Sequence, residues 1–87
     1  MASYRLDVKT TVRRFLREYE NRELANGILA RLLSLADDPT PTDATAVQEI
    51  PSLYCLRIGR FDLLYRVNQA DNLVIVYACQ RTASADA

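Results

Sequence analysis

The sequence predicts an α+β fold, β-α-α-β-β-β, in which a helical hairpin packs on one face of a small, mainly antiparallel sheet. Three observations predict it. An alternating apolar and polar segment opens the chain, two segments with helical periodicity follow, and the last third holds only strand-like runs separated by turns.

Length and composition predict a single domain, residues 1–87, because a chain of this size supports one modest core. Hydrophobic residues make up 49% and charged residues 25%, which is typical of a globular rather than a disordered protein. No apolar run approaches the roughly 18 residues of a membrane span. The N-terminus also lacks the apolar stretch of a signal peptide. We therefore expect a cytoplasmic protein without membrane attachment.

The first strand and the first helix follow from the opening residues. The segment 4–8 alternates apolar and polar side chains, which indicates a strand with one buried face. Thr10 or Thr11 is expected to cap the helix that follows, and the helix is expected to end near Glu20. Its apolar stripe has i, i+3, i+4, i+7 spacing: Val12, Phe15, Leu16 and Tyr19.

The second helix is predicted to begin at Asn21, which can cap its first turn. More than half of its circumference is apolar, so we expect one side against the sheet and the other against the first helix. Gly27 is expected to let the two helices approach closely. The stretch 37–45 has two prolines and three acids, which indicates a surface connection.

The last third is predicted to form strands at 53–58, 61–68 and 73–79. A two-residue turn at Gly59 and Arg60 pairs Ile58 with Phe61 and continues as a regular ladder. One face of that ladder is entirely apolar or aromatic and is the expected floor for the helices: Tyr54, Leu56, Ile58, Phe61, Leu63, Tyr65 and Val67.

The opposite face is the predicted site for a protein partner. In the same ladder Asp62 lies across from Arg57 on this face, and pairing Val67 with Leu73 adds alternate residues of the last strand. A helical hairpin covers one side of a sheet, so this apolar surface is left open unless the C-terminal segment folds back over it. The predicted binding residues are Leu53, Cys55, Leu64, Arg66, Val74, Val76 and Ala78.

Few residues suit metal binding or acid–base catalysis. The chain has no His, and Cys55 and Cys79 are too far apart for a CxxC unit, so no metal site and no cofactor are expected. The predicted register places the two thiols on opposite faces, which excludes a disulfide between them.

The charge is balanced overall and uneven along the chain. Eleven basic residues, ten of them Arg, match eleven acids. Residues 1–36 carry a net charge of +3, residues 37–56 a net charge of −4, and residues 57–81 a net charge of +2. Such a balance argues against strong nucleic-acid binding, which depends on phosphate neutralisation.

The element order and the segment 53–67, LYCLRIGRFDLLYRV, resemble the RelE/ParE superfamily, the toxins of bacterial type II toxin–antitoxin modules. Gln80 and Arg81 stand where that family has a His-Arg or Lys-Arg pair. The resemblance covers nearly the whole chain and implies an antitoxin partner. The matching residues are Tyr54, Leu56, Arg57, Gly59, Leu63, Tyr65, Arg66 and Val67.

The resemblance leaves three functions open. The first is a toxin that acts by protein binding, as in the branch that poisons DNA gyrase. The second is a ribosome-dependent mRNA endoribonuclease, in which Arg57 and Arg81 hold the phosphate and Arg60 stabilises charge. In that case a ribose 2′-hydroxyl attacks with Tyr54 or Asp62 as a poor base. The third is a non-toxic regulatory or assembly module that keeps the fold.

Departures from the family pattern favour binding over cleavage. Asp62 stands where mRNA-cleaving members carry Arg, and Arg60 stands where an acid is expected. A carboxylate beside an RNA phosphate is repulsive, and no Tyr, His or Lys follows Arg81. The chain, with a pI of about 6.2, also lacks the basic character of nucleolytic members.

Overall fold

A computed structural model describes residues 3–81. Five strands form one sheet in the order β1-β5-β4-β3-β2, with β1 parallel to β5 and the other neighbours antiparallel. The predicted α+β fold and the mainly antiparallel sheet are confirmed, and one short edge strand is additional. The elements are β1 (Arg5–Val8), α1 (Thr10–Glu18), α2 (Arg22–Ser34), β2 (Ala44–Ala46), β3 (Leu53–Ile58), β4 (Phe61–Asn68) and β5 (Leu73–Arg81).

The start of α1 differs from the prediction. Its N-cap residue is Lys9, not Thr10 or Thr11, and no side chain accepts a hydrogen bond from the first turn. The reason is that a backbone bond from the Lys9 amide to the Val76 carbonyl, 3.0 Å, ties this residue to β5. The helix therefore begins directly after β1, with both threonines inside its first turn.

The junction between the helices is closed by Arg22. Helix α1 ends at Glu18, two residues before the expected end, and leaves carbonyl groups without helical partners. The Arg22 Nη1 atom donates to the carbonyls of Leu16, Arg17 and Tyr19 at 3.0, 3.0 and 2.9 Å. One guanidinium therefore satisfies the exposed end of α1 and fixes the turn into α2.

Helix α2 begins as predicted and packs on one side only. The Asn21 carboxamide oxygen accepts from the Leu24 amide at 3.1 Å. Gly27 is exposed, with no atom within 4 Å of where a Cβ would stand, so the expected close helix contact there is wrong. Leu29 and Leu33 also face solvent. The buried side carries Ala25, Ile28 and Leu32, followed by Leu35.

A single hydrophobic core lies between the helices and the sheet. Tyr65 is fully buried in it, and its hydroxyl donates to the Pro39 carbonyl at 2.7 Å, which ties the acidic connection to the sheet. Burial raises the pKa of this phenol. The core members are Val12, Leu16, Ile28, Leu32, Leu35, Leu56, Phe61, Leu63, Tyr65, Val67, Val74 and Val76.

The hairpin between β3 and β4 has the predicted register. Ile58 pairs with Phe61, Arg57 pairs with Asp62, and the ladder continues without a slip to Leu53. Gly59 has φ 62°, a left-handed conformation that glycine adopts without strain and that the first central position of a type II′ turn requires. The tight turn therefore sets which face every side chain of this hairpin occupies.

The register between β4 and β5 differs from the prediction. Val67 pairs with Val74, not Leu73, because a turn closed by hydrogen bonds between Asn68 and Asp71 leaves Asn68 opposite Leu73. Val74 and Val76 therefore lie on the helix-facing side, fully buried, and their predicted place on the other face is wrong. A bulge at Tyr77 inserts one residue into β5.

Beyond the bulge the predicted faces are restored. Ala78 pairs with Leu64 on the side away from the helices, as predicted. Cys79 pairs with Leu63 on the helix-facing side, whereas Cys55 pairs with Leu64 on the other side. Both cysteines are free, which confirms the prediction that these two thiols do not form a disulfide.

Candidate functional site

The side of the sheet away from the helices is called the open face here. No helix or strand within residues 3–81 covers it. The alternative to an open surface, a C-terminal segment that folds back over it, concerns residues 82–87, which lie outside the described residues. Its members on the three central strands are Leu53, Cys55, Arg57, Asp62, Leu64, Arg66, Asn68, Leu73, Ile75, Ala78 and Gln80, with Tyr77 at the bulge beside Arg66 and Ile75.

The middle of the open face is apolar. Four predicted binding residues lie together here, and Leu53, Cys55, Leu64 and Ala78 are each half-buried. Arg66, the fifth, is exposed beside them and donates to the Pro51 carbonyl at 3.4 Å. Val74 and Val76 are absent from this surface, because the β4–β5 register turns them into the core.

Three residues that were not predicted complete the apolar surface. Leu73 and Ile75 are half-buried on the open face, and Tyr77 is 39% exposed at the bulge. The Asn68 carboxamide accepts from the Asp71 amide at 3.1 Å and donates to the Asp71 carboxylate at 3.1 Å. This turn keeps Asn68 within β4. An Asn followed three residues later by Asp is typical of such turns, and this is the sequence signal that could have revealed the β4–β5 register.

The three predicted catalytic arginines do not converge. Arg57 lies on the open face, with its Nε 3.5 Å from the Asp62 Oδ1. Arg60 is exposed in the turn that joins β3 to β4. Arg81 pairs with Phe61 on the opposite, helix-facing side, and its guanidinium carbon lies 5.8 Å from the centre of the Phe61 ring.

Arg81 packs over the end of an aromatic cluster. The rings of Phe15 and Phe61 are 5.2 Å apart, and the Tyr19 ring stands edge-on to Phe61 at 5.5 Å. A cation above an aromatic ring gains a fraction of a kcal/mol to about 2 kcal/mol. Arg81 is therefore held by a contact that stabilises the fold, on the side of the sheet away from Arg57.

A cavity of about 270 Å³ surrounds the Arg57–Asp62 pair. Asp43 lines it as well, and its carboxylate is bound to the Arg31 guanidinium at 2.9 Å. Two carboxylates in so small a space repel a phosphate. Thr45 and Cys55 complete the lining.

The two thiols are poor nucleophiles. Burial raises the pKa of Cys55, and the negative charge of Asp62 together with its hydrogen bond to the thiol adds to the rise. Burial raises the pKa of Cys79 to about 11, with a further contribution from Asp62. Since the thiolate is the reactive form, both residues are expected to be unreactive at neutral pH. Among residues 3–81, no group of three or more potential metal ligands is present.

Comparison with solved structures shows that the chain has the fold of RelE toxins. The archaeal RelE–RelB complex from Pyrococcus horikoshii has a TM-score of 0.81 at 20% identity, over 94% of this chain and 98% of that one. The isolated RelE toxin of E. coli has a TM-score of 0.78 at 15% identity, over 97% and 89%. The RelBE2 toxin–antitoxin complex of Mycobacterium tuberculosis has a TM-score of 0.61 at 24% identity, over 97% of both chains.

The resemblance to the RelE/ParE toxins is thereby confirmed for the fold. No protein-family model matches the chain, and none of the curated proteins does. No helix among residues 3–81 is long and apolar enough to cross a membrane.

Proposed function

We propose that this chain is the toxin component of a type II toxin–antitoxin module and that it acts mainly by binding another protein. The observation that carries the proposal is the arrangement of charge around Asp62. Its carboxylate faces Arg57 on the open face, while Arg81 lies on the other side of the sheet. Such a surface suits protein contact better than phosphate chemistry.

An antitoxin partner is supported by the structural neighbours. The Pyrococcus horikoshii and Mycobacterium tuberculosis structures are complexes of RelE-type toxins with their antitoxins. The present chain shares their fold over more than nine tenths of its length. By this analogy of fold, we place a small antitoxin on the chain.

The open face is the proposed antitoxin surface. It combines an apolar middle with arginines at its border, Arg57 at one end and Arg66 at the other, which is the composition of a protein interface with a polar rim. Tyr77 is its most exposed large apolar residue. Tyrosine and arginine are also the residue types most often found at binding hot spots. We therefore expect Tyr77 to contribute strongly to antitoxin affinity.

RNA cleavage is the less supported function. Stabilising the charge that develops on a scissile phosphate requires preorganised donors aimed at one point. Arg57 and Arg81 project from opposite faces, and Asp62 offsets the charge of Arg57. The proposed target is consequently a protein, with DNA gyrase the candidate that the resemblance offers. This target places the chain in the cytoplasm.

Co-expression tests the antitoxin surface. The chain is produced in a bacterial host alone and together with the small protein encoded by the neighbouring reading frame, and growth is measured. We expect arrest by the chain alone and rescue by the second protein. Tyr77→Glu is expected to weaken rescue and to lower the affinity of the purified pair about tenfold or more.

Ile50→Glu is the matched control. Ile50 is 44% exposed in the loop between β2 and β3 and lines none of the cavities described, so its variant should bind the antitoxin normally. Equal affinities for the two variants would contradict the open-face assignment. No arrest by the chain alone would contradict the toxin proposal and favour a non-toxic regulatory or assembly module.

A further inference from the structure

A cavity lies at one end of the open face, where the loop before β3 meets β4 and β5. Its volume is about 400 Å³, which is within the range of small-molecule sites in proteins, and it is called the Arg66 cavity here. It shares no lining residue with the cavity around Arg57 and Asp62. The lining residues are Ser52, Arg66, Val67, Asn68, Gln69, Ile75 and Tyr77.

Hydrogen bonds hold the walls of the Arg66 cavity in place. On one side the Val67 amide donates to the Ser52 carbonyl at 3.0 Å, which ties the loop to β4. Ser52 has φ 67°, a left-handed conformation that is uncommon for residues other than glycine and is often found at ligand sites. At the far end, Asn68 and Asp71 close the β4–β5 turn. The cavity is therefore formed before a ligand enters it, which lowers the cost of binding.

The guanidinium of Arg66 gives the cavity an uncompensated positive charge. Its Nη2 atom donates one long hydrogen bond, 3.4 Å to the Pro51 carbonyl, and no acid forms an ion pair with it within residues 3–81. None of the described residues that line the cavity is acidic. A guanidinium has five N–H donors in a planar fork, and the fork matches the two oxygens of a carboxylate. The cavity therefore favours an anion with a single charge.

The wall contributed by β5 is apolar. The bulge in this strand places Tyr77 beside Ile75 on the open face, and bulges often re-aim a side chain next to a binding site. Tyr77 is 39% exposed and Ile75 is half-buried, so both have apolar surface that a ligand can cover. An aromatic ring placed against Tyr77 gains a ring–ring contact in addition to the buried area.

We propose that the Arg66 cavity binds a small aromatic carboxylate. The carboxylate accepts hydrogen bonds from the Arg66 guanidinium, and the ring packs against Tyr77 and Ile75. A phosphate monoester carries up to two negative charges and finds one cation here, so it is the weaker ligand. An acidic side chain of a protein also fits Arg66, but it has no ring to cover Tyr77.

This inference goes beyond the proposed function and is tested without it. Tyr77 also belongs to the proposed antitoxin surface, so a filled cavity is expected to weaken antitoxin binding. The ligand titration uses the chain alone, and its result does not depend on whether the chain is a toxin. Failure of either proposal therefore leaves the other standing.

A titration of the full chain with benzoate tests the proposal. Benzamide is the matched neutral probe, because it has the same ring and nearly the same shape. Binding is followed by amide NMR shifts. We expect benzoate to bind saturably and about tenfold or more tightly than benzamide, which lacks the charge-assisted pair. The signals that shift are expected to be those of Ser52, Gln69 and Tyr77, together with the Nε–H of Arg66. Benzoate affinity is expected to fall as salt is raised.

Variants locate the bound carboxylate. Arg66→Gln is expected to weaken benzoate binding about tenfold or more, and Arg66→Lys to recover only part of it, because an ammonium keeps the charge without the planar fork. Tyr77→Ser is expected to weaken it about threefold or more. Arg14→Gln is the matched control, because it removes an exposed arginine on α1 outside the cavity, and it should bind benzoate as the unaltered chain does.

Three results would overturn the inference. One is equal affinity for benzoate and benzamide, or no binding of either. Another is benzoate binding that is unchanged in Arg66→Gln, which would place the carboxylate elsewhere on the chain. The last is tighter binding of phenyl phosphate, or of a glutamate capped at both ends, than of benzoate. That outcome would replace the aromatic carboxylate by a phosphate or by an acidic side chain of a protein.

Discussion

The two faces of β4 have different roles. Toward the helices the strand presents Phe61, Leu63, Tyr65 and Val67, all buried in the core. Toward the open face it presents Asp62, Leu64, Arg66 and Asn68, which are half-buried or exposed. The same strand therefore stabilises the fold with one set of side chains and leaves the alternate set for contact with another molecule.

The largest expected difference between the two faces of β4 is in how much their side chains contribute to the stability of the fold. Leu63 and Leu64 are neighbours in β4, with Leu63 fully buried and Leu64 half-buried. Leu63→Ala is expected to lower the free energy of unfolding by about 2–5 kcal/mol, since it leaves a cavity in the core. Leu64→Ala is expected to lower it by roughly 1 kcal/mol. Urea denaturation measures both, and equal losses would show that the open face is covered in solution.

A smaller effect is expected at the bond between the sheet and the acidic connection. Tyr65→Phe removes the hydroxyl that donates to the Pro39 carbonyl. We expect a loss of about 1 kcal/mol, because the carbonyl is left without its partner. Tyr54→Phe is the control, since Tyr54 stacks on Tyr65 at 5.7 Å and its hydroxyl donates no hydrogen bond within residues 3–81. Similar urea midpoints for the two variants would show that this bond contributes nothing.

The charge pair on the open face is expected to affect stability less and RNA affinity more. Asp62 is 18% exposed and Arg57 is 67% exposed, so their ion pair contributes about 0–1 kcal/mol. Asp62→Asn is expected to leave stability nearly unchanged and to raise affinity for single-stranded RNA at low salt. Fluorescence anisotropy with labelled RNA measures this affinity. Asp71→Asn is the control, because it also removes one acid. The same RNA affinity in both variants would refute a local role for Asp62.

The smallest expected effect concerns the two thiols, and it is measured as chemical reactivity and not as stability. The pKa of Cys79 is raised by burial to about 11, so its neutral thiol is favoured in the folded protein and the thiolate forms only as pH rises toward that value. We expect alkylation of Cys79 by iodoacetamide, measured in Cys55→Ala, to be slow at pH 7 and to increase through pH 9–11. Rapid alkylation at neutral pH would contradict the burial that the structure gives this side chain.

The two registers that β4 forms with its neighbours differ in whether the sequence predicts them. The β3–β4 register is predictable, because a two-residue turn with Gly59 allows only one pairing. The β4–β5 register is not, because it depends on a turn closed by Asn68 and on a bulge at Tyr77. Each shifts the pairing by one residue in the same direction, so the predicted faces return from Ala78 onward. The predicted placement on the open face was consequently right for the residues of β3 and β4 and for Ala78, and wrong for Val74 and Val76.

The exposed side of α2 could not be predicted for a related reason. The leucines of α2 indicate an apolar helix, but periodicity does not say which of its sides finds a neighbour. Leu29 and Leu33 are exposed because α1 is short and ends at Glu18, where Arg22 turns the chain. Which side of α2 stays exposed is thus a tertiary property, which depends on the turn held by Arg22 and on the packing of α1 on β5.

The central claim, that the chain acts by binding a protein and not by cutting RNA, is tested most directly by mapping mRNA ends in growth-arrested cells. Primer extension is performed after expression of the chain and of Arg81→Ala, and plasmid supercoiling is measured in parallel. The account predicts arrest by both proteins, intact mRNA and, where gyrase is the target, reduced supercoiling. Ribosome-dependent cuts within codons that disappear in Arg81→Ala would contradict it.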